Sequence, residues 1–243
     1  MAKSAILSPK ASEIEIDVFS NKSALVLFWL IACHEELKTK GFSINEMARQ
    51  TDLSVGLVHK VVHQLEDQGV VLSQGLRTRK TFHLKAAEKL LQAWVARYSL
   101  LKKTKTMGLS LTSSQTPEWK KIGLWPALHT AASELFQLKT TNLRTMEYYL
   151  PNWNKLEKVV DTLKARELDR GYELLLIKPY YSALLNRVSQ SDSGPWLKAY
   201  YLLTILDLCH FPLRGIEQAE SLYRKADFLK TICPWNSLES SIE

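Results

Sequence analysis

The spacing of apolar residues predicts a run of helices over the first seventy positions. A mostly apolar segment predicts a helix over residues 22–38 that ends before Gly41. Ser43, followed three residues later by Glu46, has the spacing of a capping box and predicts the start of a short second helix. A three-residue break at 51–53 separates this helix from a third one.

The third helix is predicted over residues 55–68, because Ser54 can cap its start and Gly69 can end it. One side repeats at i, i+3, i+4 and i+7, which is the spacing of a buried stripe. That stripe consists of Val58, Val61, Val62 and Leu65. The opposite side contains one formal positive charge and no acidic residue. It consists of Gly56, Leu57, His59, Lys60, His63 and Gln64.

A β-hairpin is predicted after this helix, since two short strand-like segments flank a polar turn. The strands are expected over residues 70–73 and 81–84, and the turn over residues 74–80. The turn has a basic tip formed by Arg77, Arg79 and Lys80. A further helix is predicted over residues 86–103.

The second half of the chain has a different organisation. Residues 106–117 are rich in small hydroxyl residues and lack a helical period, which is typical of a linker. Helix and strand signals then alternate, which indicates a small sheet backed by helices. The helices are predicted over 124–138, 153–164, 196–210 and 216–230, and the strands over 144–150 and 172–177. We therefore predict an α+β fold, with an N-terminal domain over residues 1–105 and a small α/β C-terminal domain over residues 118–243.

The positive charge of the chain is concentrated in one stretch. The 243 residues contain 32 Lys and Arg against 25 Asp and Glu, a formal net charge of +7. Residues 54–105 alone contain ten of these cations and three of the anions, so the whole excess lies there. Such asymmetry indicates a polyanionic partner, and nucleic acid is the commonest one. A basic surface that only keeps the protein soluble is the alternative.

A short helix, a tight turn, a second helix and a basic hairpin, in this order, predict a winged helix-turn-helix in the N-terminal domain. In this motif the second helix enters the major groove of double-stranded DNA, and the hairpin reaches the flanking backbone. The predicted DNA-binding residues are Ser54, Gly56, Leu57, His59, Lys60, His63, Gln64, Arg77, Arg79 and Lys80. Residues 54–71 resemble the recognition helix and first wing strand of MarR- and GntR-type regulators. A winged helix that binds another protein is the alternative.

No catalytic or cofactor-binding signature occurs in the chain. The glycine loops that bind dinucleotides or phosphates, the zinc-protease motif and the nucleophile elbow are all missing. His59 and His63 lack a third ligand at metal spacing, and the three cysteines are widely separated. The most apolar early run, residues 24–33, is too short to cross a bilayer. We therefore predict a cytoplasmic protein that is not an enzyme and has no cofactor, metal or membrane partner.

Five segments of the second half occur in the order and spacing of a known family. They are LWPALHTAASEL at 124–135, NLRTMEYYL at 142–150, ELLLIKPYY at 173–181, AYYLLTILDL at 199–208 and RGIEQAESLY at 214–223. Together with the N-terminal half, they resemble the AbiEi-type antitoxins of type IV toxin–antitoxin systems. The resemblance implies a winged helix that binds the operon's own promoter and a C-terminal domain with antitoxin function. It also implies a nucleotidyltransferase-like toxin as a functional partner that forms no stable complex with the antitoxin.

Two further expectations concern the C-terminal half and the assembly. A ligand-sensing regulator, in which the aromatic C-terminal half encloses a small molecule, is an alternative to the antitoxin function. A homodimer is predicted because palindromic operators mirror the twofold symmetry of the proteins that bind them. The helices over residues 22–38 and 216–230 are its candidate surfaces.

Overall fold

The computed structural model of the chain describes residues 16–76, 80–111, 119–140, 142–190 and 194–242. Helices dominate the N-terminal region, and most of the strands lie in the C-terminal part. The helices up to residue 105 are α1 (Ala24–Ala32), α2 (His34–Lys40), α3 (Ile44–Thr51), α4 (Val55–Asp67), α5 (Ala87–Arg97) and α6 (Leu100–Lys103). The strands of this region are β1 (Val71–Gln74) and β2 (Thr81–Leu84). The overall prediction of a chain that mixes helices and strands is confirmed.

The C-terminal part combines a five-stranded sheet with eight further helices among the described residues. Its strands are β3 (Thr106–Leu111), β4 (Trp125–Pro126), β5 (Met146–Tyr149), β6 (Ala165–Glu167) and β7 (Leu174–Ile177). Its helices are α7 (Trp119–Ile122), α8 (Leu128–Glu134), α9 (Leu156–Leu163), α10 (Ser182–Val188), α11 (Pro195–Cys209), α12 (Gly215–Lys225), α13 (Asp227–Lys230) and α14 (Trp235–Glu239). A 3₁₀ turn over Trp153–Lys155 leads into α9.

Helix α1 is buried along its whole length, because its own residues are apolar on every side of the helix. The chain leaves helical geometry at Cys33 (φ −100°, ψ 11°) and continues in the more polar helix α2. The single helix predicted over residues 22–38 is therefore wrong, and two helices of different character replace it. The same burial removes α1 as a dimer surface, since its side chains are packed inside the protein.

Strand β3 lies inside the segment predicted as a linker. It pairs antiparallel with β7 on one side and with β6 on the other, so the sheet order is β4-β5-β7-β3-β6. The linker prediction is therefore wrong over Thr106–Leu111, and residues 112–117 lie outside the described residues. Met107, Leu109 and Leu111 alternate with small or hydroxyl residues, which is the period of a strand. Within β3, the hydroxyl residues Thr106 and Ser110 occupy the alternate positions, and Thr106 is exposed while Ser110 is half-buried.

Three further predicted helices are interrupted for local reasons. The helix predicted over 216–230 divides into α12 and α13, because the backbone of Ala226 leaves helical geometry (φ −88°, ψ 84°). The helix predicted over 124–138 is shortened to α8, because Trp125 and Pro126 form the edge strand β4 beside β5. Proline has no N–H for a ladder and is tolerated at a sheet edge. The helix predicted over 86–103 divides into α5 and α6, because Tyr98 is extended (φ −98°, ψ 128°). Four short elements were not predicted, namely β6, α7, α10 and α14.

One hydrophobic cluster joins the two predicted domains. It includes residues of α1, α4 and α5 together with residues of α8, α10 and α11, and α1 packs directly against α11. Successive residues of β7 alternate between this cluster and a smaller one, so the sheet separates the two. Leu175 and Ile177 face the large cluster, and Leu174 and Leu176 face the small one. The boundary predicted near residue 106 therefore does not divide the core.

A buried carboxylate links the N-terminal helices to the sheet. Asp207 of α11 accepts a hydrogen bond from the hydroxyl of Tyr98 at 2.6 Å, and a second one from the hydroxyl of Tyr149 in β5. Burial raises the pKa of Asp207 well above its ordinary value. The side chain thus joins three distant segments inside the core.

Cys33, Cys209 and Cys233 are also buried and carry free thiols. Within the described ranges, no helix is both long enough and apolar enough to cross a bilayer.

Candidate nucleic-acid interface

Helices α3 and α4 begin where the sequence predicted. The Ser43 hydroxyl accepts a hydrogen bond from the Glu46 amide at 3.1 Å, and the Ser54 hydroxyl accepts one from the Leu57 amide at 3.3 Å. Between them Asp52 adopts left-handed geometry (φ 56°, ψ 40°) and reverses the chain. Both caps satisfy amide groups that the helix itself leaves unpaired. The predicted N-caps are confirmed.

The two faces of α4 also have the predicted burial. Val58, Val61, Val62 and Leu65 are fully buried. The opposite face is open to solvent, and His59 and Lys60 are exposed while His63 and Gln64 are half-buried. Ser54 and Gly56 are exposed at the start of the helix, and Leu57 is half-buried. The structure therefore brings these seven predicted DNA-binding residues to one exposed surface, which we name the α4 face.

Two imidazole rings lie side by side on the α4 face. The ring centroids of His59 and His63 are 4.1 Å apart, and the His63 ring also contacts the edge of Phe82 in β2 at 5.8 Å. Lys60, between them in sequence, forms no ion pair with any described residue. No group of three or more potential metal ligands occurs within the described ranges. These side chains thus offer hydrogen-bond donors and a positive charge at the surface.

Glu66 connects α4 to the hairpin. Its carboxylate lies 2.9 Å from Nδ1 of His63 and 3.3 Å from Nζ of Lys80, and it accepts a hydrogen bond from the Ser73 hydroxyl. The hydrogen bond from Ser73 and the charge of Lys80 lower the pKa of this carboxyl group. We name these four residues the Glu66 cluster. One carboxylate therefore contacts the end of the helix, β1 and the residue that precedes β2.

The Glu66 cluster changes the role expected for Lys80. The sequence placed Lys80 at the tip of the hairpin, but the structure places it beside β2, over the ring of Phe82 at 4.9 Å. Its charge is opposed by the carboxylate of Glu66. Arg77 and Arg79, the other predicted tip residues, lie outside the described residues. The i, i+3 spacing of His63 and Glu66 was the only local signal of this cluster.

The hairpin is fixed to the segment that precedes α3. β1 and β2 pair antiparallel, with Ser73 opposite Phe82. Phe42 and Phe82 exchange two backbone hydrogen bonds, each of 2.8 Å, and their rings stack with centroids 5.8 Å apart. At Gly41 (φ 66°) a Cβ atom would lie 2.7 Å from the His83 ring, so only glycine fits this crossing. These contacts give the hairpin a defined position beside the α4 face.

Arg187 of α10 reaches the turn between α3 and α4. Its Nη2 donates a hydrogen bond to the Gln50 carbonyl at 2.9 Å, and its Nη1 lies 3.8 Å from the Asp52 carboxylate. The guanidinium group also lies 5.3 Å from the centre of the Trp196 ring. A residue of the C-terminal half therefore contacts the end of α3 and the turn that leads into α4. Sequence reasoning missed this contact because its partners are more than 130 residues apart.

Comparison of the chain with models of known protein families, with curated proteins and with solved structures gave no match. The resemblance to AbiEi-type antitoxins therefore depends on the quoted residues alone.

Proposed function

We propose that this protein is a DNA-binding transcription regulator. In this proposal, α3, the turn at Asp52, α4 and the hairpin β1–β2 form a winged helix-turn-helix. Helix α4 enters the major groove with Ser54 and Gly56 leading, and the hairpin lies along the neighbouring backbone. The bound duplex belongs to the promoter of the protein's own operon.

The single observation that carries the proposal is the α4 face. From Ser54 to Gln64 this helix exposes imidazole, amide and ammonium groups without one carboxylate, while its other side is fully buried. Donors of this kind bind phosphate oxygens and base edges. A Cβ atom added at Gly56 would meet nothing within 4 Å, so this surface of the helix is open to a close partner. The concentration of positive charge in residues 54–105 supports the same conclusion.

The experiment is a fluorescence anisotropy titration with labelled DNA from upstream of the protein's gene and with a shuffled duplex of equal length. Specific binding at low salt is expected, and the logarithm of the affinity should fall with the logarithm of salt by about 0.9 for each phosphate contacted. Lys60→Gln should reduce this slope by about one unit. Lys158→Gln, which removes an exposed charge from α9, is the matched control and should leave the slope unchanged. Equal affinity for the two duplexes contradicts the proposal.

We also propose that the protein acts as an antitoxin, on the basis of the AbiEi-type resemblance. The appropriate test uses the full chain, since the sheet needs β3 and the core needs α1. Co-expression with a neighbouring nucleotidyltransferase-like gene should restore growth in cells that this gene inhibits. A Lys60→Gln, His59→Ala double variant that no longer binds DNA should still restore growth, because the resemblance assigns antitoxin function to the C-terminal part. Loss of rescue in that variant contradicts a separate antitoxin function.

A further inference from the structure

A polar cavity of about 220 Å³ lies in the C-terminal half, far in sequence from the α4 face. Helix α8, the segment that leads into β5, and Gln218 of α12 form its walls. Most of the described lining residues are polar, and the two apolar ones are Leu143 and Met146. The cavity therefore differs from the aromatic enclosure that the sequence suggested for a ligand-sensing domain.

A buried carboxylate fixes the hydroxyl groups on one side of this cavity. Glu147 is completely buried and accepts hydrogen bonds from the Thr130 hydroxyl at 3.0 Å and the Thr130 amide at 3.2 Å. The Thr145 hydroxyl donates to the same carboxylate at 2.8 Å. No described lysine or arginine forms an ion pair with Glu147, and its hydrogen-bond donors are hydroxyl and amide groups. This wall is thus rigid, because buried polar groups need partners of fixed geometry.

Two other polar side chains form the inner end of the cavity. Gln218 is buried, and its amide bridges the Thr140 backbone N–H at 3.3 Å and the Leu138 carbonyl at 3.1 Å. His129 is 93% buried, and neither ring nitrogen has a hydrogen-bond partner of good geometry among the described residues. Burial lowers the pKa of His129, while the nearby Glu147 carboxylate opposes that effect. The Leu213 backbone and the Gln218 side chain also lie close enough to the ring to raise its pKa, so His129 is a buried polar group of the wall whose hydrogen bonds are incompletely satisfied.

The mouth of the cavity is positively charged. Lys139 and Arg144 are exposed on the segment before β5, and neither forms an ion pair with a described residue. Among the described lining residues, Glu134 is the one carboxylate, and it accepts a hydrogen bond from the Tyr148 hydroxyl at 2.6 Å. Ser133, on the same helix as Glu134, contributes a half-buried hydroxyl group. Two exposed cations and a hydroxyl group thus lie on the solvent side of the cavity, and the fixed polar groups form its wall.

We propose that this cavity binds a small phosphomonoester. A phosphate dianion matches the two cations in charge, and its three terminal oxygens match Arg144, Lys139 and the hydroxyl of Ser133 as donors. The remaining polar walls suit a short hydroxylated organic group, and the volume of about 220 Å³ matches a small molecule. The proposal does not depend on DNA binding, because none of these residues lies on the α4 face.

The test is a titration of the full-length, isotope-labelled protein with glycerol 3-phosphate, followed by the NMR shifts of its backbone amides. Chloride keeps the ionic strength constant. Saturable shifts in α8 are expected, with a dissociation constant in the millimolar range or tighter. Arg144→Gln and Lys139→Gln should each weaken binding about tenfold, since each removes a charge-assisted hydrogen bond. Both residues are exposed, so both variants should retain the wild-type unfolding temperature. Lys158→Gln, which removes an exposed charge from α9, should bind like the wild type.

Four results would overturn the proposal. The first is an absence of saturable shifts in α8. The second is a dissociation constant that is the same in all four proteins, because the phosphate would then be bound elsewhere. The third is equal binding of acetate, since the site would then select any carboxylate. The fourth is binding of inorganic phosphate without binding of glycerol 3-phosphate, which would exclude an organic ester.

Discussion

Replacing Glu66 with glutamine tests whether the Glu66 cluster limits DNA binding. The variant removes the negative charge beside Lys80 and His63 and keeps an oxygen that can accept the Ser73 hydrogen bond. Lys80 then becomes available to a phosphate of the bound duplex. We expect Glu66→Gln to bind DNA more tightly than the wild type, although it loses an internal contact.

The size of the effect follows from the 3.3 Å distance between Lys80 and the carboxylate. Coulomb's law in water gives about 1.3 kcal/mol for unit charges at that separation. Salt and side-chain entropy reduce a surface pair of this kind to at most about 1 kcal/mol. Because this attraction competes with phosphate for Lys80, its removal should raise the affinity by up to about fivefold at low salt. One additional phosphate contact should steepen the salt dependence by about 0.9.

The assay is the anisotropy titration on upstream DNA, repeated at several salt concentrations for three proteins. Asp67→Asn is the matched control, since Asp67 is the next residue, is exposed, and forms no ion pair with a described residue. It removes the same formal charge without releasing Lys80. The reasoning is refuted if Glu66→Gln has the affinity and the salt slope of the wild type, or if Asp67→Asn has the same effect.

The same variant makes a prediction about stability and pH. The pKa of Glu66 is lowered in the folded protein, so its ionised form contributes stability above the ordinary pKa of a glutamate, about 4.3. That contribution disappears as the pH falls through the lowered pKa. The wild type should therefore be more stable than Glu66→Gln at pH 7, by at most about 1 kcal/mol. Urea denaturation should show this difference, and it should shrink toward zero in acid.

Three further predictions concern stability and coupling. Arg187→Ala should speed hydrogen exchange around the α3–α4 turn and weaken DNA binding several-fold, because the Gln50 carbonyl loses its donor; unchanged exchange there would contradict the coupling. The pKa of Asp207 is raised in the folded protein, so ionisation of this carboxyl group costs folding stability above about pH 4. As the pH rises above that value, the unfolding temperature of the wild type should therefore fall more steeply than that of Asp207→Asn. Gly108→Ala should cost about 1–3 kcal/mol, because its Cβ atom would lie 2.8 Å from the Gly171 carbonyl oxygen, whereas the open site at Gly56 should accept alanine without loss of stability.

The parts of the interface that could be predicted are those that neighbouring residues determine. The caps at Ser43 and Ser54 depend on amides three residues away, and the buried stripe of α4 depends on a period of 3.6. The strand β2 was predicted with its observed bounds, since it lies between a turn and a helix start. Local pattern therefore sufficed for the elements that present the α4 face.

The parts that could not be predicted depend on residues that are distant in sequence. Lys80 meets Glu66 across 14 residues, and Arg187 meets Gln50 across 137. Strand β3 looked like a linker because its partners, β6 and β7, begin more than 50 residues later. The spacing of apolar residues within one segment does not specify these long-range contacts, since they follow from how the helices and strands pack. The polar cavity was missed for the same reason, because three separate segments form it.

The burial of α1 against α11 has a consequence for how the protein is made. The apolar segment Ala24–Ala32 leaves the ribosome long before its partner Pro195–Cys209 has been synthesised. At about 5–20 residues per second, the interval between the two is roughly 8–33 s. Until then, the side of α1 that packs against α11 has no partner, whereas α1 can already contact α2 and α3. The core around α1 is therefore completed late in translation, although α1 is made early.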